Sequence, residues 1–307
     1  ARTARSCARY RKGACGFAFA GGATEAASTG PVELEFWHAW SGSNGEFLQK
    51  VVDAFNASQD KIHVNASFQG GDYWSLAAVC AQAIATGDAP DLMMVGTDHV
   101  SIFSSQGLLA DIAALAKADN YDMNDLVPAF TNTYWGPNGE LWALGWGRSC
   151  PQLYVNLDML AQIGAEVPTT YTELAEVSRK LIAAGICEYG WTMPYDSQYP
   201  QMIIPQFGGS VWNADNTGLG CVEDGTFEAA LTELQNQVKE GLFYYGPQTD
   251  SNSVCRSLFI NEKCAFYIHS CSQIGNLKKN CKFNWDAAPV PGQVKRTVNT
   301  GGVTIDI

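Results

Sequence analysis

The chain has 307 residues, of which 46% are hydrophobic and 11% aromatic, and its formal net charge is −12. This length suits two domains of ordinary size, and the apolar content excludes a globally disordered chain. The negative charge argues against nucleic acid or an anionic membrane surface as the main partner. No apolar run approaches the ~18 residues that a membrane-spanning helix needs.

The first 31 residues have the composition of a leader or tether. Residues 1–12 contain five basic residues and no acidic one, and a stretch rich in small residues follows. We expect residues 1–31 to lack fixed structure, as an export signal that merges into a tether. Cys15 is a candidate for lipid attachment, although Lys12 stands where a lipoprotein signal has an aliphatic residue. A damaged or irrelevant leader is the alternative.

Residues 32–95 alternate between strand-like and helix-like segments. The patterns predict strands at residues 32–37, 62–68 and 91–95, and helices at residues 46–55 and 73–85. Strands separated by helix-length segments predict an α/β fold with a parallel, doubly wound sheet. The ligand groups of such a sheet gather at the carboxyl ends of its strands. Those ends are residues 38–42, 68–73 and 96–99.

A second α/β region follows a hairpin that is predicted at residues 134–142, with its turn at a Pro-Asn-Gly sequence. The further predicted elements are strands at residues 153–156, 189–192, 265–269 and 283–288, and helices at residues 157–163, 171–184 and 227–240. We expect a first lobe at 32–148, a second at 149–288, and a return to the first at 289–307. Because the sequence stops inside an apolar run, we expect that a C-terminal portion is absent.

Cysteine and histidine residues show no metal pattern. There is no CxxC motif among the ten cysteines, and the spacing of Cys255, Cys264, Cys271 and Cys281 matches no zinc ligand set. Two interpretations of these four cysteines remain open: they form one or two disulfides, or they are small buried thiols. The four histidines are scattered, and His38 with His99 at strand ends favours a cleft lining over a metal pair. We therefore predict neither a metal nor a cofactor.

Catalytic motifs are equally scarce. The sequence has no GxSxG and no Walker A motif. A glycosidase needs two carboxylates across a sugar ring, and Asp98 and Asp196 are the only nominees, without local support. Aromatic residues beside polar residues and glycine are more informative, because such platforms suit the apolar faces and hydroxyls of sugars. Part of this aromatic set is expected to be ordinary core.

Five ordered motifs carry a resemblance to a known family. They are FWHAWSG at residues 36–42, ATGDAPDL at 85–92, SQGLL at 105–109, LYVNLDML at 153–160 and the stretch at 259–265, with Gly301-Gly302 in agreement. In this order they resemble the family 1 extracellular solute-binding proteins of ATP-binding-cassette (ABC) importers. The resemblance covers residues 32–307.

The resemblance implies a type II periplasmic-binding-protein fold, with two doubly wound lobes around a hinge and a cleft. It implies a monomeric receptor, not an enzyme, at the periplasmic or extracellular face of the membrane, which delivers a carbohydrate or glycerol-3-phosphate-like solute to ABC permease subunits. Members that bind glycerol-3-phosphate hold their ligand at positions that match Tyr73, Ser149, Ser270 and Gly302. Members that bind maltose use positions that match Asp98 and, again, Ser149.

Other residues extend or weaken this assignment. His38, Trp40, Trp191 and Tyr199 are further candidates for ligand contact, because they belong to the aromatic and polar segments. Ser272 stands where maltose-binding members have a stacking tryptophan, which disfavours a maltose-type sandwich. Arg148 either binds an anionic group or pairs with an acid at the hinge. A secreted carbohydrate-active hydrolase and a solute sensor for a signalling partner are the alternative functions.

Overall fold

The computed structural model describes residues 30–70, 72–196, 198–298 and 301–306. Contacts divide the chain into two units, and each is described by itself: unit 1 is Ala1–Arg148 with Gly302–Ile307, and unit 2 is Ser149–Gly301. The predicted leader and Cys15 fall almost entirely outside the described residues. No helix within the described ranges is long and apolar enough to cross a membrane.

The sheet of unit 1 has five strands in the order β2-β1-β3-β10-β4. Their bounds are β1 Val32–His38, β2 Ile62–Phe68, β3 Leu92–Gly96, β4 Leu144–Ser149 and β10 Gly301–Asp306. Strand β1 runs parallel to both β2 and β3. Strand β10 runs antiparallel to β3, with Val303 opposite Gly96. The sheet is therefore mixed, because β10 enters after unit 2 and no helical crossover from β3 sets its direction.

Five α-helices among the described residues of unit 1 connect these strands. They are α1 Gly42–Ser58, α2 Tyr73–Thr86, α3 Thr97–Ser105, α4 Ile112–Ala118 and the single turn α5 Pro128–Thr131. Asp72 caps the start of α2 by accepting a hydrogen bond from the backbone N–H of Ser75, and Gly87 ends the helix in the left-handed conformation. The helices cover a core that includes Leu76, Val95 and Phe103.

The hairpin predicted before β4 is present only in reduced form. Trp135 and Leu141 form a single antiparallel bridge around the turn, and a 3-10 helix at Asn132–Tyr134 precedes it. The backbone N–H groups of Gly136 and Trp142 donate to the Glu140 and Tyr134 carbonyls across this turn, and the fully buried Leu141 packs it onto the core.

The sheet of unit 2 has the order β7-β6-β8-β5-β9. Its strands are β5 Pro151–Asn156, β6 Tyr189–Met193, β7 Phe243–Tyr245, β8 Cys264–Ser270 and β9 Trp285–Ala288. Strand β6 is parallel to β7 and β8, whereas β5 is antiparallel to β8 and β9. The two faces of the sheet carry separate clusters, one around Leu153 and Phe266 and the other around Tyr154 and Tyr267. This separation follows from the alternation of side chains along β5 and β8.

Seven α-helices flank the sheet of unit 2. They are α6 Leu157–Ile163, α7 Tyr171–Ala183, α8 Gln198–Gln206, α9 Gly220–Glu223, α10 Thr226–Lys239, α11 Ser251–Ile260 and α12 Ile274–Asn280. Helix α7 starts with a capping box, in which the Thr170 side chain accepts from the backbone of Glu173 and the Glu173 side chain accepts from the backbone of Thr170. Its buried face includes Leu174 and Leu181.

The described residues 289–298 belong to unit 2, whereas the sequence suggested a return to the first lobe from residue 289. The backbone N–H of Gly292 donates to the Thr169 carbonyl, and the Gln206 side chain donates to the Thr297 carbonyl. The carbonyl of Gln206 also accepts from the backbone N–H groups of residues 293–295. These bonds satisfy the backbone of an otherwise irregular segment, so the chain enters unit 1 only at β10.

Candidate functional site

Polar side chains of unit 1 collect where its parallel strands end. His38 ends β1, Gly96 ends β3, and Tyr73 begins α2 shortly after the end of β2. Because β10 is antiparallel to β3 and Val303 faces Gly96, Gly302, the second residue of β10, lies beside the end of β3. The fold thus brings His38, Tyr73 and Gly302 to one edge, with Asp98 just beyond Gly96. We call this set of strand ends the unit 1 edge.

Tyr73 is held by a side-chain hydrogen bond at the unit 1 edge. Its hydroxyl accepts a 2.8 Å hydrogen bond from the indole N–H of Trp40. Burial raises the pKa of Tyr73, the Trp40 bond opposing this, so the hydroxyl keeps its proton at neutral pH. Since a hydroxyl that accepts one bond still has a hydrogen to donate, Tyr73 can donate to a solute oxygen.

Two buried histidines carry ring nitrogens without a hydrogen-bond partner among the described residues. The Nδ1 atom of His99 contacts the Gly96 carbonyl at 3.3 Å and therefore carries the proton, which leaves Nε2 as a buried acceptor. In His38 it is Nδ1 that lacks a partner, and burial lowers the pKa of this ring. The described residues contain no group of three or more His, Cys, Asp and Glu that would hold a metal ion.

Trp74, which was not among the predicted site residues, presents a large aromatic surface near this edge. Its side chain is 63% exposed, and its ring stands edge-on to the buried His99 ring at a centroid distance of 4.4 Å. The contact with His99 orients the indole while leaving much of it open to solvent. The signal in the sequence was its position in the first turn of a helix that follows a strand end.

Asp98 is an exposed acid in the first turn of α3, where the positive end of the helix dipole stabilises a carboxylate. Its carboxylate can accept hydrogen bonds from two hydroxyl groups.

Arg148, in β4, is oriented by neutral groups of unit 1. Its guanidinium donates to the Phe130 carbonyl at 3.3 Å and to the Thr133 hydroxyl at 3.2 Å, and it lies 5.1 Å from the centre of the Tyr134 ring. None of these three contacts is with an acidic residue, which the sequence suggested as one possible partner of Arg148. A guanidinium stays charged at any physiological pH, and neutral acceptors do not cancel that charge.

Unit 2 has a corresponding edge, where β5 begins and β8 ends. Pro151 lies opposite Ser270, and the backbone N–H of Cys271 donates to the Cys150 carbonyl at 2.9 Å. This pairing places Ser149, the last residue of β4, near Ser270, as part of what we call the unit 2 edge.

Ser270 is clamped on both sides of its peptide backbone. Its N–H donates to the His269 Nδ1 atom at 2.7 Å, and its carbonyl accepts from the Tyr154 hydroxyl at 2.8 Å. Its own hydroxyl accepts from the Ser272 backbone at 3.1 Å, which makes Ser272 part of the turn after β8. A side chain held in this way offers a hydroxyl hydrogen at a defined position.

His269 is a buried, neutral histidine behind Ser270. Burial, reinforced by the charge of Arg256, lowers its pKa to about 4. Because Nδ1 accepts from Ser270, the proton resides on Nε2, which donates to the Asn252 side chain at 2.8 Å. Neutral His269 thus links Ser270 to α11.

Two predicted contact residues of unit 2 lie in the core instead. Trp191 is 0% exposed, stacks on Phe243 with ring centres 3.7 Å apart, and donates its indole N–H to Gln237. Side-chain alternation along β6 turns it towards the helices and away from the open edge of the sheet. Tyr199 is 2% exposed, and burial raises its pKa with a contribution from Asp196. It therefore supports the unit 2 edge from beneath.

Asp196 and Tyr195 follow β6 at the same end of the sheet. Asp196 accepts from the backbone N–H of Gln198 at 2.8 Å, which is the geometry of a turn that starts α8. Tyr195 is exposed, and its ring lies 5.7 Å from that of Tyr245. Of the two nearby tyrosines, Tyr195 presents the open aromatic face, whereas Tyr199 is buried.

The described fold, two α/β units with polar and aromatic groups at the ends of their strands, is similar to that of several solved structures. The GacH receptor of Streptomyces glaucescens, solved unliganded and with acarbose, matches with a TM-score of 0.81 and 19% identity, over 90% of this chain and 71% of that one. UgpB from Mycobacterium tuberculosis in complex with glycerophosphocholine matches with a TM-score of 0.78 and 22% identity, over 91% and 70%. These likenesses show the fold.

Sequence comparison agrees with the fold. The family model "Bacterial extracellular solute-binding protein" matches residues 39–305. The sn-glycerol-3-phosphate-binding periplasmic protein UgpB of Rhizobium meliloti is 24% identical over 260 residues, which are 81% of this chain and 60% of that protein. The UgpB of Shigella flexneri is 28% identical over 283 residues, with 84% and 60% covered. The chain thus spans about 60% of the length of these relatives.

The chain belongs to the bacterial extracellular solute-binding protein family, because the family model matches well over half of its length. The predicted family and α/β fold are therefore confirmed.

Proposed function

We propose that this protein is the solute receptor of an ABC importer, that it binds a carbohydrate or a glycerophosphate, and that it hands this solute to permease subunits. The observation that carries the proposal is the family match over residues 39–305, which includes the unit 2 edge and all of the unit 1 edge except His38. The proposal places the protein, as a monomer, at the periplasmic or extracellular face of the membrane. It assigns no catalytic reaction, no cofactor and no nucleic acid partner.

The chemistry of the two edges suits a solute rich in hydroxyl groups. The Asp98 carboxylate accepts hydrogen bonds, whereas the hydroxyls of Tyr73 and Ser270 each have a hydrogen to donate. Ser149 and the backbone at Gly302 complete the proposed polar contacts. Trp74 adds an exposed ring that suits the apolar face of a sugar.

The names of the relatives suggest the two solute classes to compare. The GacH receptor was solved with acarbose, and the Mycobacterium tuberculosis UgpB with glycerophosphocholine. Arg148 distinguishes these classes, since a guanidinium binds a phosphate by charge-assisted hydrogen bonds that a neutral sugar does not offer. We therefore expect Arg148→Gln to weaken glycerophosphate binding while leaving sugar binding little changed.

Isothermal titration calorimetry of the 307-residue protein against acarbose, maltose, glycerol-3-phosphate and glycerophosphocholine tests the proposal. Asp98→Asn should lower the affinity for the bound solute by about 10- to 100-fold, the effect of one charged hydrogen bond. Asp60→Asn, an exposed loop acid beyond α1, is the matched control and should change nothing. A folded protein that gives no heat with any of the four solutes would overturn the proposal. Turnover of a chromogenic glycoside would favour the hydrolase instead.

A further inference from the structure

Cys150 and Cys271 face each other across the unit 2 edge. Cys150 immediately precedes β5 and Cys271 immediately follows β8. The ladder ends at the pair Pro151 and Ser270, so the two cysteines form the next pair in register. The 2.9 Å hydrogen bond from the Cys271 N–H to the Cys150 carbonyl extends the antiparallel pairing to them.

Both thiols lie on the same face of the sheet. Gln152 pairs with His269, and Tyr154 pairs with Tyr267, at intervals of two residues from the cysteines along each strand. Side chains two residues apart on a strand point to one face, so Cys150 shares the face of Gln152 and Tyr154. Cys271 begins a 3-10 helix directly after β8, and its electrostatic effect on Tyr154 places its thiol on the same side. Two contacts agree with this placement. The Gln152 side-chain nitrogen lies 3.1 Å from the Cys150 sulfur, and both thiols act electrostatically on the Tyr154 hydroxyl.

The spacing of such a pair fits a disulfide. Directly opposed residues that share a backbone hydrogen bond in an antiparallel pair have Cα atoms about 5.5 Å apart. Disulfides join Cα atoms that are roughly 4.4–6.8 Å apart. The backbone therefore need not move for the two sulfur atoms to bond, and only side-chain rotation is required.

The other described thiols are less accessible or less reactive. Four of them are buried, namely Cys80, Cys221, Cys255 and Cys264. Cys187 and Cys281 are partly exposed, but burial raises the pKa of each to about 11, so little nucleophilic thiolate forms near neutral pH. Cys150 and Cys271 are both partly exposed, and each has the other as its cross-strand neighbour.

We propose that Cys150 and Cys271, which are free thiols in this structure, form an intramolecular disulfide when the protein meets a disulfide donor outside the cytoplasm. The Cys150 thiolate attacks one sulfur of the donor and releases the first donor thiolate. The Cys271 thiolate then attacks the Cys150 sulfur of the mixed disulfide and releases the second. The protein loses two electrons and two protons, and the donor is reduced to two thiols.

The bond ties the beginning of β5 to the end of β8. It closes a loop of about 120 residues, and closing so long a loop restricts the unfolded chain. The flanking residues are Ser149 and Ser270, two of the proposed solute contacts, so oxidation also fixes their separation. The disulfide itself does not depend on the proposed function, because the strand register alone carries it.

Peptide mapping of the full chain after incubation with oxidised glutathione tests the pairing. We expect a cross-linked tryptic pair of residues 149–179 and 264–278, at a mass 2 Da below the sum of the reduced peptides, that disappears with dithiothreitol. Fragmentation must place the bond at Cys271 rather than Cys264. Recovery of both cysteines in alkylated form, or of Cys150 joined to any other cysteine, would overturn the proposal.

Two variants and a melting curve complete the test. Cys150→Ser and Cys271→Ser should each abolish the cross-link, whereas Cys281→Ser, which removes another partly exposed thiol of unit 2, should keep it. Reduction of the oxidised wild type should lower its melting temperature by several degrees, and reduction of Cys150→Ser should not. Equal shifts in both proteins would show that the bond does not stabilise the fold through this pair, contrary to the proposal.

Discussion

The indole N–H of Trp40 donates a 2.8 Å hydrogen bond to the hydroxyl of Tyr73, and thereby joins two strand-end segments of unit 1. Trp40 lies just after β1, and Tyr73 begins the helix that follows β2. The bond fixes the tyrosine ring and commits the oxygen as an acceptor, so the remaining hydroxyl hydrogen is directed elsewhere. The defined direction of the Tyr73 hydroxyl hydrogen thus depends on the contact between the two residues.

Removal of the Tyr73 hydroxyl should therefore destabilise unit 1 modestly. We expect Tyr73→Phe to lower the free energy of unfolding by about 1–2 kcal/mol, because the partly buried indole N–H loses its acceptor. Urea denaturation followed by tryptophan fluorescence measures the change. The control is Tyr121→Phe, at an exposed position in the same unit, which should be neutral. Equal stability of both variants would show that the hydrogen bond contributes nothing.

His269 should make stability depend on pH. Its folded pKa of about 4 lies below the ordinary value of 6.5, so the unfolded chain binds the proton more readily. This contribution to stability is complete above about pH 6.5 and is lost as the pH falls towards 4. Between pH 7 and pH 5 it should amount to about 2 kcal/mol.

The comparison of wild type with His269→Gln isolates that contribution from other titrating groups. The difference between the two unfolding free energies should shrink by that amount when urea titrations at pH 7 and pH 5 are compared. His63→Gln serves as the control, because His63 lies exposed beside Glu33 and lacks this burial. A difference that stays constant with pH would contradict the neutral state inferred for His269.

Trp191 should affect stability without affecting recognition. Trp191→Phe removes the donor to Gln237 and part of the stack on Phe243, and we expect a loss of about 1–3 kcal/mol. In the same calorimetry as above, the folded variant should bind solute within twofold of wild type. If the free energy of unfolding were unchanged and the affinity fell strongly, Trp191 would be a ligand contact and not a core residue.

The N-terminal cap of α2, which lies next to Tyr73 at the unit 1 edge, should contribute to the stability of the protein. The Asp72 side chain accepts from both the N–H and the hydroxyl of Ser75, and these bonds hold the pKa of Asp72 below its usual range. Asp72→Ala should lower the free energy of unfolding by about 1 kcal/mol at pH 7. Asp88→Ala, beyond the other end of the helix, is the control. Because the pKa is depressed, the advantage of Asp72 should disappear only as the pH falls below about 4.

Helices with an unfavourable local sequence escaped prediction. Helix α8 contains Pro205 and yet forms, because Met202 and Ile203 bury their side chains in the core of unit 2. Helix α3 begins at Thr97, directly after β3, where the sequence suggested only a strand end. In both cases packing within the unit outweighs a weak local signal.

Hydrophobic periodicity and turn residues were sufficient for most of the strands and long helices. Strand β2 and helix α6 have the predicted bounds, since alternation and the Asn156 cap are local features that need no partner. The same local patterns predicted where the parallel strands of unit 1 end. The order of motifs likewise determined the family.

Tertiary structure alone decided which aromatic and polar groups are available to a solute. Trp74 and Trp191 occur in similar aromatic segments, but Trp191 lies on a central strand against α7 and α10, whereas Trp74 lies on an exposed helix surface. A Cβ at Gly190 would lie 2.1 Å from that of Ser178, which shows how closely α7 packs there. Likewise, only strand register reveals that Cys150 and Cys271 are neighbours, because a pairing between residues distant in sequence depends on the fold of the chain between them.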